Sequence, residues 1–225
     1  MDPEQPAPAV VGRFGTIGVL GGTGPQGRGL AVRFCQAGLP VMVGSRDSAR
    51  GAQVAAELGC DVRGMSNRDC AAASDVVIVA VPYAGHAELL RDVASELAGK
   101  VVVDCVNPLG FDQQGPFAVD VPEGSAALQA AALLPSSTVV AAFHHVSSVL
   151  LEDDEVDTID TDVLVLGDDR EATNLVQDLV AAIPGMRGLY AGRLRNAHQV
   201  EAMTANLISV NRRYKAHAGL RVTGV

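Results

Sequence analysis

Tryptophan is absent from this chain, and aromatic residues of every kind make up only 4% of it. Nearly half the residues are hydrophobic, so the core has to be built from Ala, Val and Leu, as is common in tightly packed α/β proteins. Lysine is scarce too, with Lys100 and Lys215 the only two. No apolar run reaches the roughly 20 residues needed to cross a membrane, so no membrane partner is expected. Cys35, Cys60, Cys70 and Cys105 show neither a C-x-x-C pair nor zinc-ligand spacing. They are expected to be buried, reduced thiols of a cytoplasmic protein, with no metal site. No Ser-His-Asp, Cys-His or paired-carboxylate arrangement stands out. The N-terminal stretch is rich in Pro and Ala, opens with acids and lacks a basic n-region. It reads as a disordered leader over residues 1–13 rather than a signal peptide.

The formal net charge of -9 argues against nucleic acid as a partner. The charge is uneven. Residues 1–184 hold 10 basic and 25 acidic side chains, whereas residues 185–225 hold 7 basic and 1 acidic. The C-terminal part is therefore where an anionic ligand, or the acidic face of a partner subunit, is expected.

The most informative stretch is Gly22-Thr23-Gly24-Pro25-Gln26-Gly27, directly behind the apolar run 16–20 and ahead of an amphipathic pattern over 28–37. A strand running into G-x-G-x-x-G and then a helix is the phosphate-binding turn of a dinucleotide fold. The first glycine is expected to make the tight turn. The second lets the backbone approach a pyrophosphate, and the third lets the helix pack on the strand. The helix N-terminus then points its amides and dipole at the anion. A glycine-rich turn without a ligand is the bland alternative.

Further apolar runs recur at 40–43, 61–65, 75–81, 101–106, 139–143 and 162–166. They are continuous rather than alternating, as in strands buried on both faces of a parallel sheet. Helical patterns fit between and after them, at 49–58, 68–73, 86–98, 125–133, 170–183 and 196–213. The acidic run 152–155 reads as a solvated loop, and no internal repeat is visible. The fold class expected is α/β, a Rossmann-type doubly wound parallel sheet with a small C-terminal lobe. Residues 14–143 would form the NADP-binding domain and 144–225 the lobe. The last helix carries Val200, Met203, Leu207 and Val210 at spacings of 3, 4 and 3. This stripe has to be buried, against its own domain or a second subunit.

The second strand ends in Val43-Gly44-Ser45-Arg46, where an NAD enzyme normally carries an acid for the ribose 2′-hydroxyl. Ser45 can donate to a 2′-phosphate and Arg46 can pair with it bidentately, while Arg50 lies one helical turn on. NADP is the nucleotide this predicts. The alternative leaves Arg46 a surface cation and makes Asp47 the ribose acid. Val81-Pro82-Tyr83 and Asn107-Pro108 end two central strands and are expected to flank the nicotinamide. Asn107 either hydrogen-bonds its carboxamide or simply forms a turn. His144 and His145 are adjacent, so only one can face the cleft. His86 reads as a helix cap or first-turn residue, and His198 and His217 as surface residues.

Together the Gly21–Gly27 turn, Val43-Gly44-Ser45-Arg46, Ala80-Val81-Pro82-Tyr83, Phe143-His144-His145, Leu166-Gly167-Asp168-Asp169 and the C-terminal helix carry a resemblance. From about Phe14 onward the chain resembles the coenzyme F420-dependent NADP reductases, or deazaflavin:NADP oxidoreductases, and its ending resembles their actinobacterial branch. The resemblance implies reversible hydride transfer between NADP(H) and coenzyme F420, in a homodimer. It matches Thr23, Ser45, Arg46 and Arg50 to nucleotide-binding positions and His144 to the histidine lining the deazaflavin site, with Val146 counted beside it. Two features depart from the archaeal pattern: Tyr83 stands where Trp is usual, and the segment between Asn107 and Val139 is longer. Arg193, Arg195, Arg212, Arg213 and Lys215 either attract the anionic deazaflavin tail or serve helix ends and the subunit interface. Two other functions remain open from the residues: an NADP-dependent reductase of another small substrate or a flavin, and a non-enzymatic NADP-binding redox sensor.

Overall fold

The computed structural model describes residues 12–225. The expected leader therefore lies outside the described residues, apart from Gly12 and Arg13. The first half alternates as expected: β1 (Ile17–Leu20), α1 (Pro25–Gln36), β2 (Val41–Ser45), α2 (Ser48–Glu57), β3 (Val62–Ser66), α3 (Asn67–Ala73) and β4 (Val76–Val79). Next come α4 (Tyr83–Asp92), α5 (Ala94–Leu97), β5 (Val101–Asp104), a hairpin of β6 (Leu109–Asp112) and β7 (Gly115–Ala118), α6 (Ala126–Leu133) and β8 (Thr138–Ala141). The chain ends with α7 (Ser148–Glu152), β9 (Thr161–Gly167), α8 (Arg170–Ala181), β10 (Met186–Gly192) and α9 (Ala197–Tyr214).

Eight strands form one sheet in the order β3-β2-β1-β4-β5-β8-β9-β10. The six strands from β3 to β8 are parallel, which makes this a doubly wound Rossmann-type sheet. β9 runs antiparallel to β8, and β10 runs parallel to β9. The C-terminal residues thus prolong the sheet and then send α9 back along it.

The continuous apolar runs follow from this layering. Ile17, Val19, Val76 and Ile78 point into one core layer, under α1, α2 and α8. Leu20, Val77 and Val79 point into the other, under α3, α4, α6 and the start of α9. Successive side chains alternate faces, and both faces are covered, so every position is apolar.

Several features depart from the sequence pattern. The hairpin β6–β7 was not expected, because Leu-Gly-Phe-Asp and Gly-Pro-Phe-Ala carry no strand period. Its turn is set by Asp112, whose Oδ1 accepts from the amides of Gln114 (2.7 Å) and Gly115 (3.1 Å). The helix expected over 86–98 starts at Tyr83 and is broken at Val93. Of the acidic run, Asp153, Asp154 and Glu155 do lie in a loop, whereas Glu152 ends α7 and pairs with Arg28 at 3.0 Å. Finally, Cys35 and Cys60 are joined by a disulfide, with their Cα atoms 6.2 Å apart. Right-handed crossovers set α1 and α2 side by side on one face, which brings the end of α1 against the turn before β3. Cys70 and Cys105 remain buried free thiols, as expected.

A disulfide closing a loop of this size stabilises the chain by about 3 kcal/mol, chiefly through the unfolded state. Cys35→Ser is therefore expected to lower the denaturant midpoint in non-reducing buffer, and the difference from the parent should vanish when a thiol reductant is present. Identical midpoints in non-reducing buffer would show that the bond does not form.

Candidate functional site

The site lies at the carboxyl ends of the parallel strands, where the chain order reverses between β1 and β4, the usual ligand position in such sheets. The left-handed residue after β1 is Gly21 (φ 70°), one place ahead of the motif glycine expected to make the tight turn. The motif glycines serve contact instead. A Cβ on Gly22 would stand 2.7 Å from the Val43 side chain, and one on Gly27 would stand 2.6 Å from the Gly22 Cα. At Gly24 the space is open, the nearest atom being the Gly21 carbonyl oxygen at 3.7 Å. The turn is thus packed shut on the sheet side and clear on the cleft side.

α1 begins at Pro25, three residues earlier than its apolar pattern suggests. Pro at the first position needs no partner for an amide it lacks. Gly24 caps the helix with no side-chain hydrogen bond, so the first amides are free for an anion.

At the end of β2, Ser45 is buried while Arg46, Asp47 and Arg50 are exposed. Asp47 is engaged as the N-cap of α2, its Oδ1 accepting from the amides of Ala49 (2.9 Å) and Arg50 (3.3 Å). Its own amide donates to Ser45 Oγ at 3.3 Å. Arg50 reaches Glu57 at 3.7 Å, whereas Arg46 has no acidic partner among the described residues. A cation left free here suits a phosphate better than a ribose hydroxyl.

A cleft of about 250 Å³ opens beside the glycine turn, lined by Gly24, Pro25, Gln26, Val81, Pro82, Asn107 and His144. Ala80, Cys105 and Val106 complete it. These three were readable in principle, since each sits at or just past the end of a strand already assigned to the site. Tyr83 follows Pro82 as the first residue of α4, half-buried. Val146 is not brought to the cleft. It is buried and faces a separate cavity of about 20 Å³ with His145.

His144 and His145 do point to opposite sides, as adjacency requires, but not because the strand continues. β8 stops at Ala141, and Phe143 adopts φ 63°, a left-handed conformation rare for a bulky residue. Phe143 is held there by complete burial, an edge-to-face contact with Phe34 (centroids 6.0 Å), and Gln26 Nε2 donating to its carbonyl at 3.3 Å. The reversal turns His144 into the cleft.

Asn107 fixes that ring. Its Nδ2 donates to the His144 carbonyl at 2.7 Å, which leaves Oδ1 facing His144 Nδ1 at 3.2 Å. Nδ1 must therefore carry the proton. Thr204 Oγ1 of α9 also donates to the His144 carbonyl, at 3.3 Å, a contact for which the sequence gives no signal. His144 Nε2 is left as a buried acceptor without a partner among the described residues. Burial pushes the imidazole down to about 4, so it is neutral at ordinary pH. Each end of the Asn107 amide makes one contact to His144, which leaves its second Nδ2 hydrogen and the second lone pair of Oδ1 for the carboxamide contact expected of it.

His86 is not a helix cap. Because α4 starts at Tyr83, His86 falls on its core face and is fully buried, 2.7 Å from Asp104. His198 and His217 are exposed. Of the C-terminal cations, Arg187 and Arg221 are consumed by Asp162, and Arg193 lies 3.5 Å from Asp168. Arg195, Arg212, Arg213 and Lys215 have no acidic partner among the described residues. No group of three or more His, Cys, Asp or Glu among the described residues is arranged to hold a metal.

Residues 16–108 match the family model of the coenzyme F420-dependent NADP oxidoreductases. The chain is 38% identical over 222 residues to the F420-dependent NADP reductase of Methanothermobacter thermautotrophicus, covering 93% of this chain and 95% of that one. It is 34% identical to the F420-dependent NADP reductase of Methanocaldococcus jannaschii, covering 93% and 98%. In three dimensions it is similar to a candidate F420-dependent NADP reductase from Arthrobacter sp. FB24, with a TM-score of 0.81 and 26% identity over 92% of this chain and 98% of the other. Identity of this extent, running from the glycine turn into the C-terminal helix, places the chain in the F420-dependent NADP reductase family.

Proposed function

We propose that the protein transfers a hydride reversibly between NADP(H) and coenzyme F420. The observation that carries this is the cleft itself. It joins an uncapped helix N-terminus, over a glycine turn with room for a pyrophosphate, to an uncharged end walled by Pro82, Val106, Asn107 and a neutral histidine. The nicotinamide and deazaflavin rings bring the hydride chemistry with them. The protein binds, aligns and dries.

The amides at the start of α1 and the open face of Gly24 take the pyrophosphate, with Thr23 at the turn. Ser45, Arg46 and Arg50 take the 2′-phosphate. Val81, Pro82 and Tyr83 on one side and Asn107 with His144 on the other confine the rings. His144 lines the cleft as a neutral ring, and Asn107 holds its orientation. Neither an acid nor a base is required of it, in keeping with a transfer between two bound cofactors. A flavin or another small substrate as hydride partner, or a non-enzymatic sensor, has no comparable support from the relatives' names.

The division into an NADP-binding part (14–143) and a deazaflavin-binding, dimerising part (144–225) belongs to this reading. So does a homodimer. Val200 is buried, but Met203 and Leu207 are only half-covered and Val210 and Tyr214 are exposed, so the apolar stripe of α9 is incompletely covered by the described residues. Cytoplasmic placement is also part of it, supported by the absence among the described residues of any helix long and apolar enough to cross a membrane.

Mixing the purified protein with NADPH and oxidised coenzyme F420 should bleach the visible absorption of the deazaflavin. Persistent colour, with NADPH consumed by another acceptor, would overturn the reading. Arg46→Ala should weaken NADPH roughly tenfold to a hundredfold, the worth of a charge-assisted pair, with NADH little changed. Equal losses for both nucleotides would remove the 2′-phosphate from Arg46. Leu207→Arg should halve the mass in sedimentation, because an unpaired cation buried at an interface costs several kcal/mol. A variant with the parent's mass and stability would place the interface elsewhere.

A further inference from the structure

Behind the two loops that wall the cleft lies a closed polar chain that hydride transfer does not require as chemistry. Asp104, the last residue of β5, and His86 of α4 are both fully buried, with Nε2 and Oδ2 2.7 Å apart. The other carboxylate oxygen of Asp104 accepts from the Val106 amide at 3.1 Å. On the far side of the ring, Nδ1 lies 3.0 Å from Gln129 Oε1. Gln129 Nε2 donates to Glu123 at 3.1 Å, and this fixes the amide so that its oxygen faces His86. Nδ1 therefore carries a proton, while Nε2 shares one with Asp104.

Burial alone would lower the affinity of this ring for its second proton. The hydrogen bond and charge of Asp104, helped by Gln129 and Glu201, outweigh burial, and the net shift is upward. That direction, with the 2.7 Å contact between Nε2 and Oδ2, favours a charge-assisted pair. The groups facing the pair come from every neighbouring element. Tyr83 of α4 has its ring 6.3 Å from the His86 ring. Glu123 lies beyond Gln129. Glu201 of α9 is buried on the amides of Ala126 (2.9 Å) and Ala127 (3.1 Å), with burial pushing it up to about 7. His144 stands on the cleft side, where the charge of Asp104 is felt.

Each member of the pair is attached to one wall of the cleft. The register of β4 with β5 ends at Val79 opposite Asp104. Beyond that point one chain runs through Val81 and Pro82 into α4, and the other runs through Cys105 and Val106 to Asn107. A buried ion pair adds little net stability, but it is directional and tolerates little displacement.

We propose that His86 and Asp104 are positioning residues whose ion pair sets the gap between the Val81–Tyr83 wall and the Cys105–Asn107 wall, and with it the approach of the two reacting rings. The inference rests on the hydride-transfer reading above. A displacement of about 1 Å at a reacting centre can cost a hundredfold in rate.

The test compares the parent with Asp104→Asn and His86→Gln, using NADPH, NADPH deuterated at the transferred position, and coenzyme F420. Both variants should lose at least tenfold in kcat and show a larger primary isotope effect. Their Kd for NADPH should stay within twofold, because the glycine turn and Arg46 are untouched. A purely structural role would lower thermal stability and leave the isotope effect of the folded enzyme alone. Folded variants with the parent's kcat and isotope effect overturn the proposal. If neither variant folds, Gln129→Leu, which removes the acceptor at Nδ1, should still lower kcat and raise the isotope effect, and no change there overturns it. Nitrogen NMR of the parent adds a reading independent of activity: His86 should hold its second ring proton to higher pH than a free imidazole, and a ring that loses it earlier overturns the charged pair. A parent that does not reduce coenzyme F420 at all would sink the hydride-transfer reading, and the positioning role with it. An active parent with unperturbed variants would sink the positioning role alone.

Discussion

The buried guanidinium of Arg33 ties the nucleotide half of this protein to the half that completes the cleft. Arg33 lies in α1, the helix that opens at the glycine turn, and is only 6% exposed. It donates to the carbonyls of Leu151 (2.8 Å), Val156 (2.7 Å), Leu150 (2.7 Å) and Asp153 (2.7 Å). A buried cation is costly unless its donors are satisfied. Three of the satisfying carbonyls, those of Leu150, Leu151 and Asp153, stand at the end of α7, where they need donors in their turn and carry the negative end of the helix dipole, and the fourth, that of Val156, lies in the loop beyond. Burial lowers the affinity of this arginine for its proton, and Asp153 and Asp157 work against that shift. One side chain therefore answers two demands, and it fastens the segment after β8 onto α1.

That fastening makes the strained turn at Phe143 tenable. A left-handed conformation at a bulky residue costs about 1–3 kcal/mol and persists only where its surroundings over-determine it. Phe143 is enclosed by Phe34, one residue from Arg33, and its carbonyl is held by Gln26 from the first turn of the same helix. α1 thus presents its amides to the phosphate end of the cleft and fixes the turn that delivers His144 to the other end. A shift of this helix would move both ends together, which keeps the distance between them constant.

Much of this was legible in the sequence because it rests on local rules. The Val-rich runs of β1, β2, β4 and β5 report burial on both faces. The glycine spacing reports the turn, and the missing acid after β2 reports the nucleotide. The hairpin was not legible, since its strands hold Gly and Pro and owe their pairing to the Asp112 turn. β10 was missed for a similar reason: an edge strand reading Met-Arg-Gly-Leu-Tyr-Ala-Gly has no clear period. The Cys35–Cys60 pair depends on two helices lying side by side, which no spacing rule predicts. His144 and Asn107 were placed at the site, but their mutual contact depends on the reversal at Phe143. One signal was available and unused. Asp104 interrupts the run Val101-Val102-Val103, and a carboxylate inside a buried strand has to have a partner. That partner is His86.

The two ends of the cleft make opposite electrostatic demands, and the chain separates them by burial. At the phosphate end the cations Arg46 and Arg50 are exposed, on the loop before α2 and on α2 itself. At the ring end the cleft is lined by Val, Pro, Cys, Asn107 and a histidine that burial keeps neutral, so no side chain lining it carries a charge. The charges near the ring end, Asp104 and His86, are withdrawn one layer behind the surface and cancelled against each other. Burial of an uncancelled carboxylate at that depth would draw a proton or water toward the cleft. Pairing it inside the wall lets a charged, directional contact stiffen the site while the surface that meets the rings stays uncharged.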